Sequence, residues 1–250
     1  MVSHDWSARI FDDLAAEYAR LDSLFDALTP DEWARESAAP GWTVSDVVLH
    51  LAQSEEFVAA SIAGDDEVFV RPDGMSVDEA MDRLVAEERG APPAEVLERW
   101  RRTSRAALDG LRGCSPDRRL TWAAVPLSPR TLATTRLAEH WAHALDIAGP
   151  LGLDYPATDR LRHIAWLGHR TLPYSFALVG EEAGPVRCEL VGPGGDVWRL
   201  GDADAPSVII GPAEEFCRIG AQRLRPEDST LKTEGPDAAR ALRVLRNYAF

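Results

Sequence analysis

Gly41-Trp42-Thr43-Val44-Ser45-Asp46-Val47-Val48-Leu49-His50-Leu51-Ala52 decides how this chain folds. Thr43, with Asp46 three residues on, forms a capping-box pair that opens a helix. Val44, Val47, Val48 and Leu51 then recur at helical spacing and make one face apolar. His50 stands beside that stripe. A second stretch, Arg136-Leu137-Ala138-Glu139-His140-Trp141-Ala142-His143-Ala144-Leu145-Asp146, places acids and imidazoles among small and apolar residues. Glu139 and His143 are four apart and project from one helix face. Asp146 continues their stripe. Acids and histidines are costly to bury unless paired.

Together the two helices offer His50, Glu139 and His143 to one divalent ion. Two imidazoles and one carboxylate leave open positions, which describes a catalytic metal better than a structural one. Zinc, iron, nickel and cobalt all suit such donors. Asp146 is placed to orient a ligand from behind. Spacing alone leaves other readings open. Glu139 and His143 also read as a surface pair, and His50 as a satisfied core histidine. His140 competes with His143, since the two cannot point equally inward. His143 is preferred because it stacks on Glu139.

Outward from these stretches the pattern is helical for two thirds of the chain. Residues 5–28 carry Ile10, Leu14, Tyr18, Leu21, Leu24 and Leu28 at helical spacing. Thr29-Pro30-Asp31-Glu32 signals a short helix. The Thr43 helix runs to about Ile62. Ser76 with Glu79 opens a helix to about Arg89, and Pro92-Pro93 opens one to about Leu111. Ser128-Pro129 caps the helix carrying Glu139, which stops at Gly149-Pro150. A further helix spans roughly Thr158–Val179, broken or kinked near Pro173.

The pattern changes after Gly180. Val186–Val191 and Val197–Leu200 read as strands around a glycine-rich turn. Ser207–Ile210 is a third strand, Pro212–Arg223 a helix, Thr230–Thr233 a strand and Pro236–Tyr248 a closing helix. The expected fold is a helical bundle over 1–155 followed by a small α+β domain over 156–250. The tryptophans, among them Trp42, Trp100, Trp122, Trp141 and Trp166, read mainly as core, with Trp141 a candidate to line a substrate pocket.

Composition bounds the function. The 250 residues carry 27 basic against 41 acidic side chains, a net charge of −14. Such a surface argues against nucleic-acid partners. No apolar run approaches the roughly 20 residues of a membrane span. The N-terminal residues lack the pattern of a signal peptide, so a cytoplasmic location is expected. Cys114, Cys188 and Cys217 are widely spaced and read as small apolar residues rather than as ligands or a disulfide framework. Phosphate-binding and nucleophile-elbow motifs are absent.

Pro40 to Leu51, together with Glu139-x-x-x-His143-x-x-Asp146, resembles the two ligand motifs of the DinB-like metal-binding bundles. The resemblance is to the mycothiol-dependent maleylpyruvate isomerase N-terminal domain in particular. It implies a four-helix bundle binding zinc or another divalent ion through His50, Glu139 and His143. Val197–Gly201, Gly211–Cys217, Gln222-Arg223 and Gly235-Pro236 resemble the sterol-carrier-like, wyosine-base-formation-like domain that follows the bundle in such proteins. That resemblance implies an arginine that binds an anionic substrate or the thiol. Arg223 is the matching residue, with Arg218 nearby. Gln222-Arg223 stands where the family pattern has Gly-Arg.

The function this implies is a metal- and mycothiol-dependent isomerase or S-transferase acting on a small electrophile. Two alternatives stand beside it: a thiol-independent metal enzyme (hydrolase, lyase or cyclase) and a non-catalytic small-molecule-binding protein. Partners are small molecules only, and the protein is either a monomer or a homodimer.

Overall fold

The computed structural model describes residues 6–65, 67, 74–123, 125–182 and 184–248. Met1–Asp5, on which the signal-peptide argument mainly rests, lie outside the described residues. Two compact units are present: one is built from residues up to Tyr155, the other from Pro156–Tyr248.

The first unit contains α1 (Ile10–Asp26), preceded by a 3-10 turn at Trp6–Arg9, then α2 (Pro30–Trp33), α3 (Val44–Ala63), α4 (Val77–Glu88), α5 (Pro93–Gly113) and α6 (Pro129–Leu151). The long helices α1, α3, α5 and α6 pack on one another, and α4 lies against α3. Their starts follow from local chemistry. Thr29, Thr43 and Ser76 each accept from the backbone N–H three residues on, and Glu32, Asp46 and Glu79 return the bond. Each reciprocal pair satisfies two amides that a helix start would otherwise leave open. The core includes Leu14, Leu21, Phe25, Val47, Leu51, Trp100, Leu111, Leu132 and Leu137, all nearly inaccessible. No described helix is long and apolar enough to cross a membrane.

The last helix of this unit runs further than its sequence suggests. α6 passes through Gly149-Pro150 and ends at Gly152, whose φ of 68° terminates it. A proline inside a helix costs the bond to the carbonyl four residues back. That carbonyl belongs to Asp146, and Ala38 N–H takes it instead at 2.8 Å. The loop ahead of α3 thereby supplies the donor that Pro150 lacks.

The second unit contains α7 (Leu161–Arg170), α8 (Leu172–Leu178), β1 (Val186–Val191), β2 (Val197–Leu200), β3 (Ser207–Pro212), α9 (Ala213–Gly220), β4 (Lys232–Glu234) and α10 (Ala238–Val244). The sheet order is β2-β1-β3-β4. β1 pairs antiparallel with β2 and parallel with β3, and β4 closes antiparallel on β3. Val186, Cys188 and Leu190 alternate inward along β1, and α9 and α10 pack on the sheet. The helix expected over 158–179 is broken, close to the expected place, into two helices. Thr171 divides them: its hydroxyl donates to Arg246 O at 2.7 Å, with Leu167 O and Gly168 O as the competing acceptors at 3.0 and 3.1 Å, and Pro173 follows. The closing helix is also shorter than expected, ending at Val244. All three cysteines are free, with Cys188 and Cys217 buried.

Candidate metal centre

His50 lies two turns into α3, on a helix buried along most of its first three turns. Glu139 and His143 lie one turn apart near the middle of α6. The structure brings the three together. One donor atom from each lies within 4.8 Å of the other two. His50 Nε2 is 3.0 Å from Glu139 Oε1, and His143 Nε2 is 3.4 Å from the same oxygen. His50 and His143 are buried, while the Glu139 side chain keeps 26% of its surface exposed. The centre is therefore open on the carboxylate side.

Asp146 holds His143 from behind. A carboxylate only accepts, so His143 donates Nδ1–H to Asp146 Oδ2 at 2.9 Å. That bond fixes the tautomer and aims Nε2 at Glu139. Titration follows from these partners. Burial works to lower the His143 pKa, but its bonds to Asp146 and Glu139 outweigh this and push it up to about 9. Burial dominates at His50 and holds it below the ordinary imidazole value. Burial alone would raise Glu139, yet the two imidazoles and the nearby Arg136 hold it well below the carboxylate range.

These residues fit a divalent ion. Both Nε2 atoms face one carboxylate oxygen, so the three donors converge on a common point. Two imidazole nitrogens and one carboxylate, with a partly open side, are the donor set of a catalytic first-row ion.

A second polar layer lies beneath the centre, and sequence reasoning missed it. Arg136 donates Nε–H to Glu55 Oε1 at 2.8 Å and Nη2–H to Ser54 Oγ at 2.5 Å. Both members of this ion pair are buried. His140 belongs to the same layer. It accepts from Trp100 Nε1–H at 3.1 Å and donates Nδ1–H to Arg136 O at 2.9 Å. With both nitrogens engaged, and with burial holding its pKa well below the ordinary value, it stays neutral. The competition with His143 is thus resolved without excluding His140 from the interior. The signal available in the sequence was a charged pair, Glu55 and Arg136, on two helices rich in apolar residues.

Trp42 is the second residue misjudged. It is half-buried at the centre, its ring centroid 5.0 Å from His50 and 6.2 Å from His143. Trp141, read mainly as core and as a candidate to line a pocket, is buried. Arg218 and Arg223 belong to the second unit. Arg218 lies 3.5 Å from Glu214 on α9, and Arg223 donates to Ala221 O at 2.7 Å. Gln222, before Arg223, has a φ of 60°. Glycine adopts that conformation without cost, so the backbone here is the one a Gly-Arg pattern would take. The Gln222 amide bonds to Ile219 O and Leu245 O and helps to hold it.

Residues 14–148 match the model of the mycothiol maleylpyruvate isomerase N-terminal domain. Two uncharacterized proteins of Mycobacterium tuberculosis, from strains CDC 1551 and H37Rv, are each 38% identical over 247 residues. Those alignments cover 95% of this chain and 94% of each relative. Among solved structures, the mycothiol-dependent maleylpyruvate isomerase superposes with a TM-score of 0.64 at 15% identity, over 92% of this chain and 96% of that one. A histidine-to-alanine variant of that isomerase superposes with a TM-score of 0.60 at 14% identity, with the same coverage. At such identity the structural likeness speaks for the fold. The family model spans more than half of the sequence and contains His50, Glu139 and His143, and the chain belongs to the mycothiol maleylpyruvate isomerase N-terminal domain family.

Proposed function

We propose that the chain is a metal- and mycothiol-dependent isomerase or S-transferase acting on a small electrophilic metabolite in the cytoplasm. The observation that carries this is the convergence of His50, Glu139 and His143 within 4.8 Å, with the carboxylate side open. His50, Glu139 and His143 hold the ion, zinc for preference, and Asp146 keeps His143 in the metal-binding tautomer. A divalent ion bound there supplies Lewis acidity and favours a thiolate at neutral pH. Arg223, with Arg218 before it, binds an anionic group of the thiol or substrate.

The reaction class follows from thiolate chemistry. The sulfur lone pair forms a C–S bond to one carbon of a double bond conjugated with a carbonyl. The π electrons move onto that carbonyl, and the former double bond rotates. Return of the electrons expels the thiolate, so isomerisation consumes neither protons nor electrons. If a leaving group departs instead and the C–S bond stays, the outcome is S-transfer.

Elemental analysis and thiol-binding calorimetry on the wild type and His50→Ala test this reading. The expected result is about one ion per chain, lost in His50→Ala, with mycothiol binding that requires the ion. An ion without thiol affinity would remove the thiol from the proposal. Absence of any ion after reconstitution with zinc, iron and nickel would end it.

A further inference from the structure

The two imidazoles of the centre are fixed in different ways. His143 is held by Asp146 through Nδ1, as metal-binding histidines usually are. His50 lacks this device: its Nδ1 is buried and has no hydrogen-bond partner among the described residues. Its ring meets other rings instead. Trp42 lies 5.0 Å away at 49°, and His143 lies 5.0 Å away at 69°. The Trp42 indole also stacks on His143 at 21°. One indole, carried by the loop ahead of α3, therefore touches both ligand imidazoles.

That indole is aimed from α4. Trp42 donates Nε1–H to Asp82 Oδ1 at 2.9 Å. Its main chain is held as well. Ser37 donates Oγ–H to Trp42 O at 2.8 Å, and Arg89, at the end of α4, donates to Gly41 O at 3.0 Å. Gly41 has a φ of 78°, a turn that favours glycine and sends the next residue back over α3. With the backbone fixed on both sides, Asp82 selects the orientation of the ring.

We propose that Trp42, aimed by Asp82, is a positioning residue: its indole sets the plane of His50 and so the direction of Nε2 toward the ion. The proposal rests on the metal reading above. It assigns to aromatic packing the role that Asp146 plays for His143.

Co2+ is the probe, titrated into chelator-treated protein and followed by its visible d–d absorption, with the unfolding midpoint of the ion-free protein measured alongside. Wild type, Asp82→Asn, Asp82→Ala and Trp42→Phe are compared. Asp82 is exposed, so its variants fold. Asp82→Asn still offers an oxygen to Nε1–H and is expected to keep wild-type affinity and spectrum. Asp82→Ala is expected to bind Co2+ about tenfold more weakly, the smaller loss seen when outer partners of metal ligands are removed. Its bands shift while its midpoint stays near that of the wild type. Trp42→Phe keeps a ring but loses the donor, and is expected to follow Asp82→Ala. Wild-type affinity and spectrum in either Asp82→Ala or Trp42→Phe would overturn the positioning role and leave the metal reading standing. Equal damage in Asp82→Asn and Asp82→Ala would do the same. Failure of the wild type to bind Co2+ or Zn2+ would overturn both.

Discussion

Replacing Arg136 with methionine isolates the buried ion pair beneath the candidate metal centre. The substitution keeps an apolar stem of similar reach and deletes the guanidinium. Glu55 then loses the charge that lies 2.8 Å from its Oε1, and Ser54 loses the donor to its hydroxyl. Water cannot replace the guanidinium, because the Glu55 side chain is wholly inaccessible and Arg136 nearly so. Stranding one member of a buried pair costs about 3–5 kcal/mol. For a protein of this length that corresponds to a melting shift of roughly 10 °C, at about 2–4 °C per kcal/mol. The loss has a pH signature. Burial already raises the Glu55 pKa, and Arg136 opposes that rise. Without Arg136 the native state holds the carboxyl proton more tightly than the unfolded chain does, so the variant regains stability as pH falls. Urea unfolding followed by circular dichroism at pH 7 and pH 5 measures both effects. The double variant Arg136→Met with Glu55→Leu should recover most of the loss, since two apolar groups leave no charge stranded. A loss below about 1 kcal/mol at pH 7, or a loss that does not change with pH, would refute this account.

Two further outcomes are expected. His143 in the ion-free protein is raised from 6.5 to about 9, so its contribution is full below pH 6.5 and is lost as pH rises through about 9. Chelator-treated protein should lose up to about 3 kcal/mol of unfolding free energy across that window; a flat profile in urea melts would contradict the Asp146–His143–Glu139 arrangement. In the second unit, Gly235 has a φ of 86°, and a Cβ there would sit 2.1 Å from Pro206 O. Gly235→Ala should therefore destabilise the protein by about 2–3 kcal/mol, and a midpoint within error of wild type would show that the turn between β4 and α10 can shift.

What the sequence revealed follows the range of the interactions involved. Helix starts were legible because Thr29, Thr43 and Ser76 choose partners only three residues away. Glu139, His143 and Asp146 were legible for the same reason: one helix face fixes their spacing. The end of α6 was not, because the group that compensates for Pro150 is Ala38 N–H, more than a hundred residues earlier. The break at Thr171 was located only roughly, since one partner of its hydroxyl is Arg246 O. His140 was misjudged by a rule of faces. α6 is buried on nearly every side, so the direction of a side chain says less there than what it meets. Trp42 was assigned to the core on hydrophobicity alone, whereas its position depends on Asp82, forty residues on.

The convergence of His50, Glu139 and His143 bears on which ion the site would take. Capped and largely buried helices fix where the three donors stand. Donors held in fixed places select among ions by geometry and ligand type, within what the supply of each ion allows. The ion recovered from a given preparation would then reflect the growth medium as well as the site, and activity would be compared fairly only between samples stripped and reloaded in the same way.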